Sequence, residues 1–367
     1  MQEVIRLTQK LIRIRSFNPP GEEKEIALFI RDYLKKLGVK VSFFTFMRKR
    51  PNVVARVPSS FSRKTLLITT HIDTVPASKK NWLFPPLSGK IYKGKIYGRG
   101  ATDDKGNTAV VLAVIKRMKK ENIQLKNLDL VFAFTVDEET GSKFGIIPLL
   151  KCLKKIDYGV VLDSDNFKIV NSQKGVLHLK IELLGKEAHG AYPERGINAI
   201  EKAVFILKDI LTRDKILKKA TINIGKIEGG EKVNIVAGYV SFELDIRYFS
   251  PLEERIIIER IKKIIRTYGI RFKLKILASQ EPFYIDKRHC LIETLRKVLE
   301  NNRIKAEFSL YPAATVASLL KERKIPCFSF GFGDDCAHRN NEFVRIKNLE
   351  RGVKILKEYI ELLDERV

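Results

Sequence analysis

Three short apolar runs in the first half of the chain end in metal-ligand chemistry, and this repetition constrains the fold more than any other feature. Leu66 to Thr70 leads into His71-Ile72-Asp73. Leu128 to Val136 leads into Asp137-Glu138-Glu139, and Tyr158 to Leu162 leads into Asp163-Ser164-Asp165. Each run is too short for an ordinary helix and is rich in branched residues, as buried strands are. Side chains two apart on a strand share a face, so His71 and Asp73 point the same way. A satisfied core histidine beside a turn aspartate would give the same short motif. Repetition is what argues for one site, at the C-terminal edge of an α/β sheet, where ligands bind in such folds.

The chain has 367 residues, long for one core and natural for two domains. Two helices are expected within residues 1–40, broken by Asn18-Pro19-Pro20-Gly21, and strands over Val39 to Phe46 and Asn52 to Val57. A helical run from Ala109 to Met118 follows the glycine-rich stretch Tyr97 to Asn107. That stretch lacks the spacing of a phosphate-binding loop, and the adjacent Asp103 and Asp104 would repel a phosphate, so a metal carboxylate fits it better. From Gly175 to Ala278 the pattern changes to β-α-β-β-α-β, the order of a small ferredoxin-like sandwich. The expected organisation is therefore a catalytic domain over residues 1–172 and 284–367, interrupted by an inserted α+β domain over 173–283. The second catalytic segment is expected to hold helices over Lys287 to Glu300, Ala314 to Glu322 and Leu349 to Leu363, with a strand over Ile325 to Phe330.

The formal charge of +26 raises the question of nucleic acid or an anionic partner. The basic residues are spread along the chain, with only short clusters such as Arg48-Lys49-Arg50 and Lys151 to Lys155. No zinc-finger or RNA-binding signature accompanies them, so they read as a solvated surface without specific nucleic-acid function. Cys152, Cys290, Cys327 and Cys336 form no C-x-x-C pair and no secreted disulfide framework. No apolar stretch is long enough to span a membrane, and the first residues, Met1 to Lys10, lack a signal-peptide core; a cytoplasmic protein is expected.

The candidate ligands are His71, Asp103, Glu139, Asp163 and His338. Five imidazole and carboxylate donors with one bridging carboxylate suit two divalent cations, Zn²⁺ foremost, with Co²⁺ or Mn²⁺ as substitutes. Asp103 would bridge, His71 and Asp163 would complete one metal, and Glu139 and His338 the other. Asp73 would hydrogen-bond the second nitrogen of His71. Glu138 would face the substrate as general base, taking a proton from metal-activated water and passing it to a leaving amine. His189, in the inserted domain, is the candidate donor to an oxyanion. Residue chemistry thus points to a metallohydrolase. A non-catalytic metal-binding protein is the alternative from another class, and it predicts broken ligands where none is broken.

These motifs resemble those of the M20 metallopeptidases, the family of succinyl-diaminopimelate desuccinylase, acetylornithine deacetylase, acetyl-lysine deacetylase, glutamate carboxypeptidase and related aminoacylases. His71 to Pro76 is similar to the family's H-x-D-x-V-P motif. Tyr97 to Gly106 is similar to Y-G-R-G-x-x-D-x-K-G, which selects Asp103 over Asp104 as the bridge. Asp137-Glu138-Glu139 is similar to the base-and-ligand pair, and His338 with Asn341-Glu342 to the last ligand segment. The resemblance covers essentially the whole chain. It implies a mixed-sheet, zinc-exopeptidase-like catalytic domain with an inserted lid or dimerisation domain, and a homodimer. His189, within Glu187 to Ala191, is similar to the family's lid histidine. Asn234 and Asp245-Ile246-Arg247 resemble its N…D-x-R elements, which makes Asn234 and Arg247 candidate substrate-binding residues and Arg247 a clamp for a carboxylate. One position departs from the pattern. Val316, in Ala314-Thr315-Val316-Ala317, stands where many deacylases carry aspartate, which points away from succinyl-diaminopimelate itself. The expected reaction is hydrolysis of the amide bond of an N-acyl amino acid, as in arginine or lysine biosynthesis, with an acidic carrier protein as a further partner suited to the positive charge. A di-, amino- or carboxypeptidase acting on short peptides is the alternative.

Overall fold

A computed structural model describes residues 2–78, 80–212, 217–311 and 315–367. Met1 and Ala314, which belong to stretches considered above, lie outside the described residues. The chain divides into two compact units, one of Met1–Asn171, Ile285–Ser309 and Thr315–Val367, and one of Ser172–Tyr284 with Leu310–Ala314. The short return of the chain to the second unit at 310 was not foreseen from sequence.

In chain order the described elements begin with α1 (Gln2–Arg13), α2 (Lys24–Lys36), β1 (Lys40–Met47), β2 (Arg50–Val57), β3 (Lys64–His71), β4 (Lys90–Tyr92), β5 (Lys95–Tyr97), α3 (Lys105–Lys120), β6 (Leu128–Thr135), α4 (Ile146–Cys152), β7 (Tyr158–Leu162) and β8 (Ile169–Gln173). The inserted unit holds β9 (Gly175–Leu184), α5 (Ala199–Thr212), β10 (Thr221–Gly229), β11 (Tyr239–Tyr248), α6 (Pro251–Thr267), β12 (Arg271–Gln280) and β13 (Phe283–Tyr284). The chain then forms α7 (Cys290–Asn301), β14 (Phe308–Tyr311), α8 (Val316–Glu322), β15 (Cys327–Phe330), β16 (Phe343–Arg345) and α9 (Ile346–Asp364).

The first unit is built on a mixed sheet in the order β1-β2-β6-β3-β7-β15-β8. Its centre, β6-β3-β7-β15, is parallel, and the flanking pairs are antiparallel. Parallel strands must be covered on both faces, which explains why β3 and β6 are buried along most of their length rather than alternating. Helix α3 packs on this sheet and against α1 and α9. It is buried nearly all round, from Lys105 through Ile115, as expected for a helix with apolar residues on every side. It starts four residues earlier than the apolar run predicts, so Asp103 and Asp104 lie immediately before its first turn. The parallel arrangement brings the C-terminal ends of β3, β6, β7 and β15 to one edge, with His71 paired in register to Thr135 and Phe330 to Leu162.

The inserted unit has a four-stranded antiparallel sheet in the order β10-β11-β9-β12. Alternation is clean on β9: Leu177, Leu179, Ile181 and Leu183 are buried, while His178, Lys180 and Glu182 between them are not. The buried set packs against Ala203, Ile206 and Ile210 of α5 and Ile257, Ile261 and Ile265 of α6. Helix α6 begins where its residues require: Pro251 occupies the first turn and the Ser250 hydroxyl accepts from Glu253 N at 3.4 Å. Where the chain enters and leaves this unit, Ser172 and Gln173 pair with Tyr284 and Phe283.

Candidate metal centre

The strand ends place His71 at the last residue of β3, Glu138 and Glu139 in a single turn just after β6, and Asp163 one residue past β7. Asp103 comes from the loop before α3, and His338 from the loop between β15 and β16. Asp103 is the centre of the group. One of its oxygens lies 2.8 Å from His71 Nε2 and the other 3.1 Å from His338 Nε2. His338 Nε2 is also 3.0 Å from Glu139 Oε2. Ligand atoms of His71, Asp103 and Glu139 all lie within 4.8 Å of one another. Asp163 lines the same small gap as His71, Thr69, Thr70 and Val316.

Asp103 and Asp104, chemically equivalent in the sequence, part company in the fold. Asp104 is fully buried and turned inward, accepting from His71 N at 3.0 Å and from Asn107 Nδ2 at 2.6 Å. Only Asp103 meets the imidazoles.

The role expected for Asp73 shifts. His71 Nδ1 is 3.1 Å from the Asp73 carbonyl oxygen and 3.5 Å from its carboxylate. The carboxylate is occupied elsewhere, accepting from Asn18 Nδ2 at 2.9 Å, Glu139 N at 3.1 Å and Glu138 N at 3.2 Å. The turn after β3 aims the carbonyl at the ring and leaves the side chain to hold the neighbouring loop. Asp73 therefore braces both the imidazole and the Glu138-Glu139 turn.

A second brace escaped the sequence reading, although both its residues lie in the quoted motifs. Arg99 and Glu342 form a buried pair at 2.6 Å. The other Glu342 oxygen accepts from Thr102 N at 3.0 Å and Asp103 N at 3.2 Å, and Arg99 donates to the carbonyl of His338 at 3.3 Å. One ion pair thus fixes the loops that present Asp103 and His338.

The electrostatics fit cations. Burial, followed by the charge of Asp103, pushes the Asp163 carboxyl up to about 6. Burial among Asp163, Asp103 and Glu139 holds the Glu138 carboxyl well above the carboxylate range, with His71 working against it. Asp103 resists the same burial, because hydrogen bonds from His338 and His71 hold it below its ordinary value. Among the described residues, the ion-pair partners of Asp103 and Glu139 are imidazoles, not lysine or arginine. Hard oxygen and imidazole donors, crowded with excess negative charge, are the donor set that a divalent metal takes.

Residues 67–362 match the model of peptidase family M20/M25/M40. The chain belongs to this family. It is 30% identical to an uncharacterised metallohydrolase of Methanocaldococcus jannaschii, over 99% of each chain. It is 28% identical to a succinyl-diaminopimelate desuccinylase of Wigglesworthia glossinidia brevipalpis, over 94% of this chain and 95% of the relative. A Bacillus cereus aminopeptidase shares its fold with a TM-score of 0.84 and 22% identity, covering 99% of this chain and 98% of that one. A dinuclear metal-binding M20 peptidase of Bacillus subtilis shares it with a TM-score of 0.78 and 17% identity, over 100% and 99%. This M20 protein is a metal-dependent hydrolase of amide or peptide bonds, and its His71/Asp103/Glu139 cluster could hold a metal ion.

The other candidate residues, His189, Asn234 and Arg247, lie in the inserted unit. His189 is exposed, its Nδ1 accepting from Ala191 N at 3.1 Å. Its segment runs beside that of Asn234, with Gly190 N donating to the Asn234 carbonyl at 2.8 Å and a bridge between His189 and Ile235. Arg247 forks onto Asp245, at 2.8 and 3.1 Å, within its own strand.

Proposed function

We propose that this M20 protein removes the acyl group from an N-acyl amino acid. The observation that carries the reading is the Asp103 carboxylate set between His71 and His338, one imidazole on each oxygen, with Glu138 next to Glu139 in the same turn and, among the described residues, in no ion pair. In this reading Asp103 would be shared between two divalent ions, Zn²⁺ foremost. His71 and Asp163 would hold one of them, and Glu139 and His338 the other. When bound, such ions polarise a carbonyl and acidify water.

The chain's own residues do the rest. Glu138 accepts the proton of the attacking water and delivers it to the departing amine nitrogen, so that the amide C–N bond breaks as the new C–O bond forms. A carboxyl held high by burial is suited to carrying that proton between the two steps. His189, on the ferredoxin-like lid, donates to the oxyanion. Asn234 and Arg247 face the substrate's polar groups, Arg247 from its pair with Asp245.

Support for a deacylase over a peptidase comes from the desuccinylase relative that matches nearly the whole chain. Val316 in the gap beside His71 and Asp163 argues that the acyl amino acid is not succinyl-diaminopimelate itself. We further propose a cytoplasmic homodimer, with an acidic carrier protein as a partner suited to the charge of +26. The test is a metal-supplemented screen of N-acetyl and N-succinyl amino acids, dipeptides, tripeptides and carrier-linked lysine, read by released amine. Preference for the acyl amino acids supports the reading, and preference for free peptides replaces it with an exopeptidase.

A further inference from the structure

The Glu138-Glu139 turn is gripped from behind by residues with no part in the cluster. Arg50 opens β2, within a basic cluster that reads in sequence as surface, yet its side chain is only 8% exposed. Its guanidinium forks onto Glu23, with Nε 2.9 Å from Oε2 and NH2 2.5 Å from Oε1, and reaches Asp137 Oδ1 at 2.9 Å. Glu23 is wholly buried and Asp137 nearly so. Asp137 holds a left-handed backbone, φ 68°, immediately before Glu138. Its second oxygen accepts from Phe144 N at 3.0 Å, and its first from the Thr140 hydroxyl at 2.7 Å. Asn18, from the same connection between α1 and α2 that leads to Glu23, donates to Asp73 at 2.9 Å and to Thr140 Oγ1 at 2.9 Å. Space is kept for the guanidinium at Gly21, φ 98°, where a Cβ would meet Arg50 Nε at 2.6 Å.

One cation buried between two carboxylates is a poor source of stability, because desolvation offsets the attraction. Its geometric specificity is another matter, since a fork fixes direction. We propose that Arg50, anchored by Glu23, is a positioning residue: through Asp137 it sets the turn that aims Glu138 and presents Glu139 to metal. The inference rests on the metal-site reading above.

The test uses the full chain and Co²⁺ alone as probe. Arg50→Lys keeps the charge but loses the fork. The double variant Glu23→Gln/Arg50→Met removes the buried pair while leaving Asp137 its N–H and O–H donors, and guards against a single variant that does not fold. The expected result, with the far-ultraviolet circular dichroism of the wild type, is one Co²⁺ bound roughly 10- to 100-fold more weakly, with a changed visible cobalt band. For whichever N-acyl amino acid the wild type hydrolyses, kcat falls by a similar factor and KM stays. A folded variant that binds both Co²⁺ ions with wild-type affinity and spectrum overturns the proposal. If the wild type hydrolyses none of the amides, the deacylase reading fails, and the cobalt titration still decides the role of Arg50.

Discussion

Asp73→Asn is the most informative single substitution at the site, because it exchanges one oxygen for an amide without changing shape. The Asp73 carboxylate is fully buried and accepts three N–H groups, from Asn18, Glu139 and Glu138. An asparagine has one acceptor oxygen. Its better orientation keeps that oxygen where Asn18 and Glu139 N converge and turns its amino group toward Glu138 N, donor against donor. Two charge-assisted bonds become neutral, and one buried N–H loses its partner at a cost of about 1–3 kcal/mol. Removing a buried charge returns part of this, so the net loss should be about 2–4 kcal/mol. The chain's single tryptophan, Trp82, lies in the first unit, with Arg99 of the second brace 5.4 Å from its ring. Its fluorescence should therefore report unfolding of the unit that carries the site. For a unit of this size the loss corresponds to a midpoint lowered by roughly 4–16 °C. Co²⁺ affinity should fall with it, since the turn loses the hold on Glu138 N and keeps only a neutral bond at Glu139 N. A variant within about 0.5 kcal/mol of the wild type, a shift ordinary for surface substitutions, binding both ions normally, would refute the reasoning and show that Asp73 carries little of the turn's geometry.

Other expectations follow from the same residues. Glu138→Ala should lower kcat on the best amide substrate by roughly 10²–10⁴-fold while Co²⁺ stoichiometry stays at two; a near-normal rate would remove Glu138 as the base. After chelation, the hydrogen bonds of Asp103 and Glu139 raise the His338 imidazole to about 10, so it carries a proton at neutral pH. Reloading with metal must then expel that proton together with the one that Asp103 and Asp73 hold on the buried His71, and below the Asp163 value of about 6 a further one. A pH-stat should record acid released on Co²⁺ addition, and apparent affinity should rise from pH 6 to pH 8; a pH-independent affinity would contradict this. Alkylation of the native protein at pH 8 should label exposed Cys152 first. Cys327 and Cys336 should stay protected, since burial pushes their thiols up to about 12 and about 11; peptide mass mapping would show any exception.

The position of the site was legible because its determinants are local. An apolar run of strand length ending in a candidate donor appears at His71, Glu139 and Asp163, and β3, β6 and β7 form where those runs lie. The β-α-β-β-α-β order of the inserted segment was legible for the same reason, with β9 alternating buried and less buried residues from Leu177 to Leu184. Strand β8 was not legible. Ile169-Val170-Asn171-Ser172-Gln173 is half polar, and its extended form is set by partners distant in sequence.

What the sequence by itself determined is the set of imidazole and carboxylate groups, the sheet edge that gathers them, and the family their motifs mark. The tertiary structure decided which of two adjacent aspartates meets the imidazoles, and it turned the Asp73 carboxylate onto the Glu138-Glu139 turn. It also drew Arg50 out of an apparent surface cluster into a buried fork. Periodicity reports which face of an element is covered, and a motif reports which donors are present. Neither reports where a charged side chain finds its partner when that partner, like Glu23 or Asp137 for Arg50, comes from a different part of the chain. Burial forces every such charge to be matched, and only the folded chain supplies the match.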